Sequence, residues 1–597
     1  MASSCTEPVQ PALDENSASE ERQDDDSEYR EQEGIPMPDE PFIQRYLDGR
    51  EALIRQEKSR CSDHGFRENI TPMVAEASKI VSTIRLEEAQ TLWNRAHDTN
   101  LARSDGVVVY PGMMFSLAKP QMESSQLWKI VKRMPKGALL HCHLDALGDH
   151  DWLIEESFRA GFMHISAEGP LDTPQALQKT PFSFRPAARA ADQPKMASIW
   201  SNAYKARSLI PMDQAAESFP NGGRPAFVTW LKSRVSITHE ESVKHHLGTT
   251  EVWDKMRDCF PILASLHAYE PIFRKWIRRI LAELFSDGVR WVDLRSVFMQ
   301  PYFQSGAIEP DAGLENMFRH MQEEIKAFQS SEEGDGFWGA RVIWTGLRSL
   351  PTRGIVEDMK QCISIKQIFP ELIAGYDLVG QEELGRPHVD LLPELFWFKK
   401  RCMEEGVDIP FFFHAGETLG SGNEVDENLY DAILLGTRRI GHGFSLYKHP
   451  LLIDMVKDKR ILIESCPVSN EVLRLTSSIL SHPLPALLAR GVACCLSNDD
   501  PNILGQGTSS MTHDFWQALQ GWESLGLEGL AHMTENSVRY ATFDDCNTKE
   551  WAREIKDGAF GTGIRARRMR EWQKEFETFC AWVVEEFGPE IDLKTLD

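Results

Sequence analysis

The sequence predicts a (β/α)8 fold, a closed barrel of eight parallel strands wrapped by helices. Three observations predict it. Eight short apolar runs recur, helix-patterned stretches lie between most of them, and each run closes on polar or charged residues. Strands alternating with helices imply a parallel sheet. Eight such units close into a barrel, whose chemistry gathers where the strands end.

The segments follow in order. Residues 1–40 carry thirteen Asp and Glu against two Lys and Arg and read as a disordered, solvated acidic arm. Residues 41–125 read as helical, because RYLDGREALIRQEK and MVAEASKIVSTIRLEEAQTLWNRAHD space apolar residues by three and four without internal proline. Residues 126–560 read as the barrel. After MPKG come ALLHCHLD (138–145), VRWVDLRS (289–296), ARVIWTGLRS (340–349) and IAGYDLVG (373–380). IPFFFHAGE (409–417), RRIGHG (438–443), RILIESCPVSN (460–470) and VACCLSNDD (492–500) complete the eight. The gap between the first and second runs far exceeds a normal connection, so an insertion is expected at about residues 150–265. Its stretch 165–230, rich in Pro, Ala, Ser and Gly, reads as a small irregular subdomain or lid. Residues 561–597, containing GIRARRMREWQKEFETFCAWVVEEF, read as a closing amphipathic helix packed on the barrel.

Composition excludes several classes. The net charge of −25 leaves no basic surplus for phosphates, so no nucleic-acid partner is expected. No run reaches the roughly 18 apolar residues that span a bilayer, and no membrane partner is expected. The start MASSCTEPVQ lacks a basic region followed by an apolar run, so no secretory signal is read there. Eleven cysteines, an odd number without a C-x-x-C pair, suit reduced thiols in the cytoplasm.

His141 and His143 flank one residue of the first run, and alternate strand residues face the same side. Barrel interiors are normally filled by Val, Ile and Leu. Two histidines there are either a hydrogen-bonded core pair or metal ligands. Other strand ends add His414 and Glu417, then His442, then Asp499 and Asp500. Three histidines and a carboxylate suit a zinc-type ion with an open position, which lowers the pKa of water to about 7. Two decoys fail. HEESVKHH (239–246) has valine at position 243 where H-E-x-x-H needs its second histidine, and GDGFWG (334–339) precedes a strand instead of following one.

Taken in order, MPKGALLHCH, AGYDLVG, FFFHAGET, RIGHGFSLYKHP, ESCPVSNEVL and SNDDP resemble the adenosine deaminase family, most closely its growth-factor-related branch, over roughly residues 110–545. The resemblance implies deamination of adenosine and 2′-deoxyadenosine, with one Zn2+ per subunit on His141, His143, His414 and Asp499. It implies that Glu417 protonates purine N1, and that His442 orients the attacking oxygen and helps take its proton. Asp500 would hold N7, the Gly380 N–H would meet N3, and Asp145 would reach the 5′-hydroxyl. Trp253 falls where the branch has a tryptophan over the pocket, and packed helix core is the other reading. Glu417 could instead start a surface helix, Asp500 could cap the helix ahead of Pro501, and Asp377 is either a partner of a ligating histidine or a buried cap. The helices before residue 110 are similar in character to the branch's dimerisation element, implying a homodimer.

Departures count as well. Secreted relatives carry signal peptides and cysteine pairs in the insertion, yet this chain has no cysteine between Cys142 and Cys259. Relatives often place Asp-His before Arg-Ser on the third strand, where Gly346 and Leu347 stand here. The rival substrates are adenine, AMP or an N6-modified nucleotide. AMP needs a basic cradle, for which Arg348 and Lys448 are the candidates. A non-catalytic binding or growth-factor-like protein is the other class, disfavoured because every expected ligand and acid is retained. A secreted location, as in those relatives, is the alternative to the cytoplasm.

Overall fold

The computed structural model describes residues 29–30, 32–93, 110–188, 197–220 and 222–590. Most of the predicted acidic arm therefore lies outside the described residues. The chain divides into two compact units at Cys61/Ser62, within the segment 41–125. The first unit contains the helix Pro41–Lys58, none of whose residues is buried. The helix Pro72–Thr91 belongs to the second unit. Thr71 caps it by accepting from the Val74 N–H, and Val74, Ala77, Ile80, Val81 and Ile84 form a buried stripe. That stripe packs on the helices Gly526–Arg539 and Ile564–Phe587. The two N-terminal helices share a periodicity and differ in how much apolar face they can bury.

The barrel strands begin with β1 (Gly137–His143). The insertion then contributes β2 (Met163–Ala167), β3 (Phe182–Pro186) and β4 (Ile210–Pro211). These three pair antiparallel in the order β3-β2-β4, so the described part of the insertion carries a small sheet. The barrel resumes with β5 (Val289–Ser296), β6 (Gly339–Leu347) and β7 (Ile373–Val379). It ends with β8 (His414–Ala415), β9 (Arg439–His442), β10 (Leu462–Ser465) and β11 (Cys494–Leu496). Two parallel sheets result, β1-β5-β6-β7 and β8-β9-β10-β11. At one seam Tyr376 accepts from the Phe412 N–H at 3.0 Å and donates to Pro410 at 2.9 Å. At the other, the Asp499 N–H donates to His141 at 3.1 Å and Asp499 accepts from the His143 N–H at 3.0 Å. All eight predicted runs are barrel strands or lead directly into them.

The interior departs from an apolar filling. Asp293 and Arg295 of β5, Asp377 of β7, Arg439 of β9 and Glu464 of β10 are all fully buried. Arg295 reaches across the barrel, donating to Leu140 O at 2.7 Å, Asp377 at 2.8 Å and Glu464 at 2.8 Å. Arg439 donates to Glu464 and pairs with Asp293 at 2.8 Å. This belt of ions lies directly beneath the mouth. Elsewhere, the ten described cysteines are all free. Among the described residues no helix is long and apolar enough to cross a membrane.

Candidate active site

The site grows out of the ends of β1, β7, β8, β9 and β11. Ligand atoms of His141, His143, His414 and Asp499 all lie within 4.8 Å of one another. Asp499 Oδ1 stands 3.3 Å from His141 Nε2 and 3.2 Å from His143 Nε2. His141 Nε2 and Asp499 Oδ1 are buried without a hydrogen-bond partner. Orphaned buried polar atoms are costly unless a ligand completes them, and this donor set suits a zinc-type ion.

The ligands are held from behind. His141 Nδ1 donates to Glu464 Oε2 at 2.8 Å, and His414 Nδ1 donates to Asp377 Oδ2 at 2.6 Å. Each carboxylate leaves the opposite ring nitrogen free to face the site. Burial alone would raise both carboxyls. Arg295 and Arg439 beside Glu464 hold it well below the usual range, and the His414 ring and Arg295 do the same for Asp377. Gly441 makes room, since a Cβ there would come within 2.7 Å of the His141 ring. His442 and Asp499 both adopt left-handed backbone, with φ of 62° and 58°, the kind of strain that collects at functional sites.

Glu417 is buried, and its backbone N–H donates to Glu382 at 2.8 Å. Burial, with Asp499 and Glu382 nearby, pushes its carboxyl well above the usual carboxylate range. Burial and Asp499 push Asp500 up in the same way. The His442 imidazole is driven well down by burial and is neutral; its Nδ1 is 3.5 Å from Glu417 Oε1. Ser469 donates to Asp499 Oδ2 at 2.7 Å.

His143, His414, Glu417, His442 and Asp499 line a cavity of about 370 Å3 together with Asp145, Gly380 and Asp500. One wall is the helix Gly248–His267, which turns Trp253, Met256, Phe260 and Ala264 toward it at helical spacing. Trp253 is thus both packed helix and pocket wall. Asp145 accepts from His267 Nε2 at 2.7 Å, and the His267 ring stacks on Trp276. The two phosphate candidates differ: Arg348 lines this cavity, with Nε and Nη1 buried and without hydrogen-bond partners, whereas Lys448 lies outside the lining. Arg348 donates to Leu378 O and His414 O, and Lys448 donates to Leu419 O and Gly420 O. The H-E-x-x-H look-alike is a helix start, where Thr238 and Glu241 form a capping box.

The sequence reading missed Arg295, Glu464, Glu382, His267 and Ser469. A usable signal existed for the first two. Asp293 and Arg295 alternate on one face of a strand expected to be apolar inside, and Glu464 interrupts LIES.

Three imidazoles and a carboxylate gathered in the mouth of a (β/α)8 barrel, beside a buried glutamic acid whose carboxyl is pushed well up, are the donor set of a metal-dependent hydrolase. The adenosine deaminase family model matches residues 225–558. Adenosine deaminase 2-A of Danio rerio is 30% identical over 446 residues, covering 74% of this chain and 82% of that protein. Adenosine deaminase 2 of Homo sapiens is 31% identical over 462 residues, covering 75% and 84%. A solved adenine deaminase from Arthrobacter aurescens is 17% identical with a TM-score of 0.44, covering 71% of this chain and 98% of its own. The chain belongs to the adenosine deaminase family.

Proposed function

We propose that this enzyme hydrolyses the 6-amino group of adenosine and 2′-deoxyadenosine, giving the inosine product and ammonia. The observation that carries the reading is the buried Glu417 carboxyl, pushed well up by its surroundings, standing beside four converging ligand atoms in one cavity. One zinc ion per subunit, held by His141, His143, His414 and Asp499, would supply the Lewis acidity that makes water a nucleophile near neutral pH.

The chain's own groups do the rest. Glu417 gives its proton to purine N1, which draws electrons from C6. His442 holds the attacking water oxygen as it bonds to C6; one of that water's protons passes to N6, so that the C6–N6 bond breaks and ammonia leaves, and the other returns to Glu417. Asp500, whose carboxyl is pushed up by burial and Asp499, donates to N7, and the Gly380 N–H meets N3. Asp145, oriented by His267, accepts from the sugar 5′-hydroxyl under the Trp253 wall. A homodimer through the N-terminal helices is part of this reading. It rests on Phe42, Tyr46 and Leu53, which stay exposed on the helix Pro41–Lys58.

A panel of adenosine, 2′-deoxyadenosine, adenine, AMP and N6-methyl-AMP tests it, with ammonia and purine absorbance as readouts. The two nucleosides are expected to turn over with equimolar ammonia, and the others about 100-fold more slowly. Preference for AMP or adenine would overturn the sugar contact. Silence toward all five, with zinc bound, would overturn the function.

A further inference from the structure

His442 is wired to a deeper histidine. Its Nδ1 lies 3.4 Å from Asn470 Nδ2 and 3.5 Å from Glu417 Oε1, while its Nε2 lies 3.9 Å from Asp499 Oδ2. Two of these neighbours make opposite demands. An amide N–H needs a lone pair on Nδ1, whereas Glu417 would need a hydrogen there if it were ionised. Which nitrogen carries the hydrogen is set by the partner of the other one.

The choice is made farther out. Leu484 opens the helix Leu484–Ala489, so its N–H has no partner inside that helix. It donates to His482 Nδ1 at 3.1 Å. A backbone N–H can only donate, so His482 Nδ1 holds a lone pair and the hydrogen sits on Nε2. That Nε2–H donates at 2.9 Å to Asn470 Oδ1. The other end of the same amide is therefore NH2, and it faces His442 Nδ1. His482 is buried between the rings of Phe444 and Trp522, and burial pushes its imidazole down to about 3, so it stays neutral.

We propose that His482 and Asn470 are positioning residues that fix the His442 tautomer, with its ring hydrogen on Nε2, toward Asp499. His442 then meets the attacking oxygen as a hydrogen-bond donor. This revises the expectation that it takes that oxygen's proton. With its Nδ1 lone pair engaged by Asn470, the ring is not free to accept the proton that Glu417 delivers to the substrate. The functional part rests on the deamination reading above; the tautomer does not.

The test is 15N NMR of the imidazoles in the zinc-loaded, full-length protein, with the His442 signals identified by their loss in His442→Gln. The expected wild-type ring has hydrogen on Nε2 and a lone pair on Nδ1. Asn470→Asp keeps the shape and can only accept, so it should move the hydrogen to Nδ1 and lower kcat about 10- to 100-fold with KM unchanged. His482→Phe keeps the packing against Phe444 and Trp522, frees the amide to turn, and should give mixed tautomers with a similar fall in kcat. His482→Gln restores a donor and should recover most of the rate. A wild-type ring with hydrogen on Nδ1 overturns the proposal, as does Asn470→Asp with the same tautomer and kcat. The spectrum is recorded without substrate, so the position of the ring hydrogen is decided even if the deamination reading fails.

Discussion

Two layers of the barrel interior sit one above the other and use the same kinds of residue to opposite ends. In the mouth, Glu417 Oε1, Asp499 Oδ1, Asp500 Oδ1 and His141 Nε2 are buried without hydrogen-bond partners. In the belt beneath, Glu464 alone takes contacts from His141, Arg295 and Arg439. Buried charge with its partners complete is framework, because removing one partner strands the others. Buried polar atoms left incomplete mark where a ligand belongs. The His141 ring belongs to both, with Nδ1 in the belt and Nε2 in the mouth.

The largest expected effect breaks the mouth alone. Glu417→Gln keeps the shape and cannot release a proton, so kcat should fall about 10²- to 10⁴-fold. Zinc content and melting temperature should stay at wild-type values; full activity would remove Glu417 from the chemistry. Arg295→Met breaks the belt and leaves Asp377 and Glu464 without a shared counter-charge. Denaturant unfolding should show a loss of about 3–5 kcal/mol, and wild-type stability would mean the belt is no framework. Glu464→Gln probes the junction. Zinc affinity should weaken about 10- to 100-fold in competition with a chelator, and unchanged affinity would detach the belt from the ligands.

The smallest effect concerns a buried ion outside both layers. Lys136 donates to the carbonyls of Val131, Lys132 and Met134, and burial lowers its ammonium to about 8 despite Asp287 nearby. An unfolded lysine titrates at about 10.4. The unfolded chain therefore binds more protons between those values, and stability rises with pH there. From pH 8 to 9 the wild type should gain about 1 kcal/mol relative to Lys136→Met. A flat difference across that range would contradict it.

The mouth was largely legible in the sequence and the belt was not, for a physical reason. Strand ends announce themselves, since a polar residue closing an apolar run stands out, and H-x-H on one strand puts both rings on one face. The belt pairs Arg295 with Glu464 and Asp377 across the barrel, and no local pattern encodes a contact between distant strands. An assumed apolar interior hid the alternation of Asp293 and Arg295. The relay through His482 escaped for the same reason, because its direction depends on one backbone N–H at a helix start. In the insertion, the small-residue composition masked the Phe182–Phe184 alternation of β3. Nor did periodicity separate the helix Pro41–Lys58 from Pro72–Thr91, as both repeat at helical spacing and only the second has a buried stripe.

Asp499 has one further duty. Its main chain stitches the final strand to the first, exchanging hydrogen bonds with His141 and His143, while its side chain offers Oδ1 to the ligand cluster. The two ends of the barrel sequence must therefore meet before the fourth ligand is in place. An ion held by this cluster would act as a rivet through the joint. Stripping it should quicken amide exchange along β1 and β11 before any other part of the ring.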